Sequence, residues 1–369
     1  MIQTYSTTIR RKEMDAVLTC MVDEKIGPGE LNARLIQTVK EFTKCDGAVA
    51  LRSPAIALKY ALQALDFEKG GKIMISALAP AWQYQTVESL GYQPLVLDVD
   101  EVTGLVTAEI VNAGMQEGGR LLILHETEGI LPDFEGIMQL GIPVIEDISQ
   151  SAGASVPVLS PEGVPTEERK LAGSFGIYTI MGLEEHDVLT AGGGAVLMAP
   201  GRREWIVLKK YSDEAPLTDL LPDINCALAW VQVKEYPRNE KTRKELFAMF
   251  HQACLIGRHK MYAREMENGS TMSCFPLILA SSFKDVKQYA SRKEIEVQLA
   301  YDNSVISLKD ELAEKCIHAK SLYLRCIHVP LYPRLTHAES AKIVKVQRII
   351  DFFAIAFYFN LKHGTFFKN

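Results

Sequence analysis

Residues 144–150 read VIEDISQ, and residues 177–198 read IYTIMGLEEHDVLTAGGGAVLM. In the first stretch an apolar run ends on Glu146-Asp147, with Gln150 three residues later. A carboxylate at the carboxyl end of a strand in an α/β sheet stands where such sheets bind ligands. It can hold a protonated heterocyclic nitrogen and keep a bound ring electron-withdrawing. In the second stretch Glu184, Glu185, His186 and Asp187 lie between two apolar runs, and a glycine triplet follows. An imidazole there can act as a general base near neutral pH. A solvated turn has the same composition. No lysine occurs between Lys170 and Lys209, so the segment offers no amine to a carbonyl.

Metal chemistry has less support from spacing. LEEHD and His125-Glu126 lack the ligand spacing of zinc sites. Cys316-x-His318 and Cys326-x-His328 each put two ligands on one strand face, but LRCIHVPLYP reads as a buried strand. No metal site is expected. The seven cysteines are scattered without a C-x-x-C pair, as in a cytosolic protein with reduced, buried thiols. The net charge is −6 and no basic cluster stands out, which argues against nucleic acid as a partner. The N-terminus lacks the apolar core of a signal peptide. GRLLILHETEG and IIDFFAIAFYF are too short or too aromatic to span a bilayer. A soluble, cytoplasmic protein without a membrane partner is expected.

The elements that must position these residues follow from periodicity. RKEMDAVLTCMVDE has helical spacing, with Met14, Val17, Leu18 and Met21 on one face. ELNARLIQTVKEFTKC is a second amphipathic helix, and a third begins after Pro54, a residue suited to a helix start. Short apolar runs then alternate with helical stretches from GGKIMISA to IPVIEDIS. That rhythm predicts an α/β fold with a mostly parallel sheet covered on both faces. GSFGIYTI and GGGAVLM add two strands, and two helical stretches follow, the second of them long. After residue 250 the pattern becomes that of a smaller α+β unit. The expected domains are 1–245 and 246–369.

VIEDISQSAGA resembles the VIEDAAQAHGA segment of the DegT-type sugar aminotransferases, a pyridoxal-phosphate-dependent family. The order of other segments agrees. SPAIALKYAL resembles the family's SSGTAAL, GYQPLVLDVD its GATPVFVDVD, DINCALAWVQVK its EINAALGLAQL, and HVPLYPRLTHAES its SLPLYPGLTDEE. The resemblance covers nearly the whole chain. It implies an aspartate-aminotransferase-type large domain with a mostly parallel seven-stranded sheet, and a small α+β C-terminal domain. It also implies a homodimer with sites at the subunit interface, nucleotide-sugar ligands and a place in polysaccharide biosynthesis. Asp147 matches the aspartate on the pyridine nitrogen, Gln150 the glutamine beside the ring, and Thr179 a hydroxyl that holds the phosphate.

The departures from the family pattern concern the same site. The phosphate loop SGTA is replaced by Ser53-Pro54-Ala55-Ile56. Proline removes one N–H donor, leaving those of Ala55 and Ile56. The residue expected to stack on the ring is Pro80, with Trp82 two residues on. Thr218 and Asp223 stand where the family has an asparagine and a glutamate. The family's Schiff-base lysine, in SFHPTKNITTGEGG, falls at Glu184 counting forward from Thr179 and at His186 counting back from the glycines. A covalent internal Schiff base is therefore not expected, and pyridoxal or pyridoxamine phosphate would be held non-covalently if bound. Three readings stay open. The chain is a member that no longer transaminates, with a pocket for a nucleotide sugar or a partner. Or it is a lysine-independent sugar dehydratase using pyridoxamine phosphate, with His186 as base. Or it is an active aminotransferase with an unusual lysine. Whether it is an enzyme is left open.

Overall fold

The computed structural model describes residues 1–160, 164–255, 259–262 and 269–348. The chain opens with helices α1 (Arg11–Val22) and α2 (Glu30–Thr43), strand β1 (Gly47–Leu51) and helix α3 (Pro54–Ala64). Next β2 (Lys72–Ser76), α4 (Ala81–Ser89), β3 (Gln93–Leu97), α5 (Ala108–Gln116), β4 (Gly119–His125), α6 (Phe134–Met138) and β5 (Val144–Asp147) alternate. A hairpin of β6 (Ser155–Leu159) and β7 (Pro165–Leu171) precedes β8 (Tyr178–Gly182) and β9 (Ala195–Ala199). Helix α7 (Arg202–Asp213) and the 32-residue α8 (Asp223–Cys254) follow. The remainder comprises β10 (Phe275–Ile278), α9 (Phe283–Arg292), β11 (Gln298–Leu299), α10 (Asp310–Lys315), α11 (Ile317–Arg325) and β12 (Cys326–Val329). Residues 337–348 are helical.

Seven strands form one sheet in the order β1-β9-β8-β5-β4-β2-β3. The run from β3 to β8 is parallel, and β9 is antiparallel to both its neighbours. This is the expected mostly parallel α/β sheet. Its central strands are buried on both faces, so they read as largely apolar runs without strict alternation. Alternate side chains serve different layers: Ile73 and Ile75 join one core with Leu58 and Leu121, while Met74 joins another with Leu122 and Leu124. Helix α3 starts as the sequence suggests. Ser53 caps it, with its Oγ accepting from Ile56 N at 3.2 Å, and Pro54 occupies the first turn.

Helix α1 is a correction. Its expected buried face is exposed: Met14 at 50%, Leu18 at 54% and Met21 at 56%. Glu13 and Cys20 are buried instead. The Glu13 carboxylate accepts from Arg10 N at 3.0 Å and from Gln232 Nε2, on α8, at 3.4 Å. The polar face of α1 is the one fastened down. The hairpin of β6 and β7 has no counterpart among the expected elements, and the strand expected over EVQLAYDN shrinks to β11.

Strands β10, β12 and β11 form an antiparallel sheet. Its core gathers Phe247, Phe250, Phe275 and Val286, and also Ile2, which bridges to Ile295. The N-terminus thus packs with the C-terminal unit, and position 245/246 falls inside α8. The stretch IIDFFAIAFYF lies outside the described residues. Among the described residues no helix is long and apolar enough to cross a membrane.

One carboxylate ties the two ends of the large unit together. Asp223, at the start of α8, accepts from Gly29 N and Asn32 N through Oδ1, both at 2.9 Å, and from Leu31 N through Oδ2 at 3.1 Å. It thereby satisfies the free N–H groups of α2 and meets the positive end of that helix dipole. Asp223→Ala leaves three N–H groups without their acceptor and is expected to cost about 3–5 kcal/mol. Asp223→Asn is expected to cost less, because one oxygen remains. Urea unfolding of the two variants beside the parent measures both costs.

Candidate functional site

A cavity of about 650 Å³ opens at the carboxyl ends of the central strands. His125, Ser149 and Gln150 come from the ends of β4 and β5. Glu184, His186 and Asp187 come from the loop after β8. Cys274, just before β10, and His328, on β12, face them, as does Tyr5 from the N-terminal segment. This is the position expected for a ligand site in a sheet of this kind.

Asp147 is wholly buried beneath this cavity. Its Oδ2 accepts from Gln83 Nε2 at 2.7 Å and lies 3.0 Å from His125 Nδ1. Its Oδ1 accepts from Ser149 N at 3.1 Å and Ser149 Oγ at 2.5 Å. Four protein groups thus occupy a carboxylate that has about four acceptor sites. Burial works against its charge, but His125 and the Ser149 hydrogen bonds outweigh that, and the carboxyl is held below its usual range. Neighbouring Glu146 accepts from the N–H groups of Gly173, Phe175 and Gly176. Glu126, also buried, has no hydrogen-bond partner for either oxygen among the described residues. Burial first, and then the charge of Glu146, push its carboxyl well above its ordinary value.

The other expected site residues divide. Ala55, Trp82, Gln150, Glu184 and His186 line the cavity, as do Pro54 and Pro80. Asp147, Thr179 and Ile56 do not. Thr179 Oγ1 is buried and donates to the Gly173 carbonyl at 2.7 Å. The Ile56 N–H is committed to Ser53. Gln150 uses its Oε1 to accept from Glu128 N at 2.6 Å. Gln83, His125 and Ser149 were not anticipated as partners of Asp147. They lie 64, 22 and 2 residues from it.

The loop after β8 is closed by its own backbone. Glu184 N donates to Asp187 Oδ2 at 2.8 Å, and Gly194 N donates to Glu184 Oε1 at 3.2 Å. Asp187 folds back over Gly182, where a Cβ would stand 2.3 Å from its Oδ2 and 2.6 Å from Ser149 Oγ. Only glycine leaves that room. The His186 ring lies against Tyr5, with centroids 4.2 Å apart. Burial, with the charges of Asp147 and Glu184, pushes the Asp187 carboxyl up to about 8, against the pull of the Glu184 N–H.

On the opposite wall, His328 Nε2 lies 2.8 Å from Glu128 Oε2, and Cys274 Sγ donates to the same oxygen. Tyr5 OH is 2.5 Å from His328 Nδ1. Burial alone would lower the His328 imidazole, but Glu128 and Cys274 raise it well above its usual value.

The model of the DegT/DnrJ/EryC1/StrS aminotransferase family matches residues 7–348. The chain belongs to this family. Solved structures agree on the fold. The pyridoxal-phosphate form of a putative sugar aminotransferase, Spr1654 from Streptococcus pneumoniae, is 16% identical, with a TM-score of 0.84 over 94% of this chain and 97% of that one. An aminotransferase from Psychrobacter cryohalolentis is 19% identical, with a TM-score of 0.81 over 94% and 98%. Helicobacter pylori PseC, an aminotransferase involved in the biosynthesis of pseudoaminic acid, is 14% identical, with a TM-score of 0.79 over 94% and 97%.

Against the family's cofactor, the residues of this chain fit poorly. No lysine or arginine is among the described residues that line the cavity, whereas Glu184, Glu185 and Asp302 are. A phosphate dianion meets repulsion there. The expected phosphate hydroxyl, on Thr179, is turned into the sheet, and the expected nitrogen partner, Asp147, is already saturated.

The Asp187 carboxyl also makes stability depend on pH. Its folded value, about 8, lies above its ordinary 3.8, so the folded protein holds a proton that the unfolded chain releases. Stability from this group is complete below about pH 4 and falls as pH rises towards 8, by at most about 1.4 kcal/mol per pH unit. Asp187→Asn keeps the acceptor for Glu184 N and removes the ionisation. Its stability, measured by denaturant unfolding from pH 5 to 8, is expected to lack that decline.

Proposed function

We propose that this member of the sugar aminotransferase family keeps the fold and the cavity but does not transaminate. One observation carries the reading. Both positions that align with the Schiff-base lysine, Glu184 and His186, line the cavity, and neither is an amine. Asp147, saturated by Gln83, His125 and Ser149, supports it independently. The cavity then binds rather than converts. The ligand class that the family suggests is a nucleotide sugar. Its hydroxyl-rich sugar suits a polar, acidic lining, and its diphosphate belongs outside that lining. The working unit is a homodimer, a reading supported by the exposed apolar stripe of Met14, Leu18, Met21 and Val22 on α1.

A second reading rests on His186. Held against Tyr5 at the cavity wall, it is placed to act as the base of a dehydratase that retains pyridoxamine phosphate without a covalent link.

Mixing the protein with pyridoxal phosphate, reducing with borohydride and measuring intact mass tests the proposal. No pyridoxyl adduct is expected on a cavity residue. An adduct mapped to a lysine in the cavity would overturn both readings. Pyridoxamine phosphate retained through gel filtration, and lost in His186→Ala, would favour the second. One of Glu184→Lys and His186→Lys is expected to gain covalent trapping, which identifies the position that faces the ligand.

A further inference from the structure

Glu128, Cys274 and His328 have no relation in sequence. Glu128 is separated from the other two by 146 and 200 residues. The fold nevertheless brings a carboxylate oxygen, a thiol sulfur and an imidazole nitrogen within 4.8 Å of one another. All three residues are buried, with exposures of 1%, 9% and 5%. Burying three ionisable groups together is costly unless each gains a partner. Hydrogen bonds within the group supply partners, and a shared cation can bind all three at once.

Three further features favour a cation. First, the ring of His328 is held by its other nitrogen. Tyr5 OH stands 2.5 Å from Nδ1, which leaves Nε2 directed at Glu128 and Cys274. Metal-bound histidines are oriented in this way by a hydrogen bond from the second ring nitrogen. Second, Glu128 adopts φ +60°, a left-handed conformation that costs a non-glycine residue free energy, and Gln150 fixes its N–H at 2.6 Å. Third, Tyr5, Cys274 and His328 line the cavity, and so do the acids Glu184, Glu185 and Asp302. The field there attracts cations.

We propose that Glu128, Cys274 and His328 form a three-ligand site for Zn²⁺ or a similar transition-metal ion on the wall of the cavity, with the fourth coordination position open to it. One sulfur, one nitrogen and one oxygen suit zinc-type ions rather than Mg²⁺ or Ca²⁺. Three protein ligands and an open position are the pattern of zinc sites that bind a water or a substrate oxygen. A hydroxyl or amine of a sugar entering the cavity is the group such an ion would take. The site stands apart from the Schiff-base question, because none of its ligands belongs to the loop after β8.

The full-length protein, stripped with chelator under reducing conditions and titrated with Co²⁺, tests this. Saturation at one equivalent is expected, with thiolate-to-cobalt charge-transfer absorption, visible bands of a tetrahedral site, and displacement by Zn²⁺. Cys274→Ser is expected to abolish the charge-transfer band. Tyr5→Phe is expected to keep the band and weaken binding by about 10–100-fold. Absence of the band in the parent overturns the proposal. So does a band unchanged by Cys274→Ser, which would assign the metal to another of the seven cysteines. If Cys274→Ser does not fold, Glu128→Gln keeps the side-chain volume and decides the matter. Unaltered Co²⁺ affinity in that variant overturns the site, and weakened affinity supports it.

Discussion

The Asp147 carboxylate is the interaction on which the site depends. It ends the strand at the middle of the sheet and receives groups from three directions: Gln83 from α4, His125 from β4, and Ser149 from its own turn. Ser149 Oγ carries the connection further by accepting from Gly182 N at 2.8 Å, at the end of β8. A buried charge survives only when its lone pairs are satisfied, and here they are satisfied by protein. The same bonds that stabilise the anion lock the carboxyl ends of three adjacent parallel strands. They also remove the carboxylate from ligand chemistry. In a site built around a heterocyclic cofactor, one acceptor position must stay open for the ring nitrogen. In this chain the floor of the cavity is complete without a ring.

Much of the sheet was legible in the sequence for a simple reason. Strands buried on both faces are mostly apolar, so β4, β5, β8 and β9 appear as short apolar runs between helical periods. Pro54 after Ser53 marked a helix start because cap and first-turn preferences are local. What failed was not local. The apolar spacing of α1 says only that one face prefers to leave water, not which neighbour will cover it, and Glu13 won the contact with α8 through hydrogen bonds to Arg10 and Gln232. The hairpin of β6 and β7 is exposed along most of PTEERKL, so it lacks the alternation that a half-buried strand shows.

The site was legible in part, by the same rule. The position of Asp147 at a strand end, and the absence of lysine from the following loop, are facts about neighbours in sequence. Which partners saturate Asp147 is not, because Gln83 comes from a helix 64 residues away. Counting residues left Glu184 and His186 as rivals for one position, and the fold sets both on the cavity wall. Spacing tests for metals examine residues a few positions apart. They pass over Glu128, Cys274 and His328, which meet only after β10 and β12 have paired.

These changes share one electrostatic direction. Where the resemblance places a lysine there are acids and a histidine. Where it places a phosphate cradle there is a proline, and the Ile56 N–H is committed to Ser53. Across the cavity a carboxylate, a thiol and an imidazole converge. Among the described lining residues, acids are present and cationic side chains are not. Asp187 takes the same strain in another form, since its neighbours' charges and its own burial keep it protonated up to about pH 8. A ligand carrying phosphate into this cavity would meet Glu184, Glu185 and Asp302, with no lysine or arginine among the described lining residues. A ligand carrying an amine, or hydroxyls directed at a bound metal ion, would meet complementary charge. The described lining, acidic and without lysine or arginine, thus favours a cationic or hydroxyl-bearing group over an anionic one.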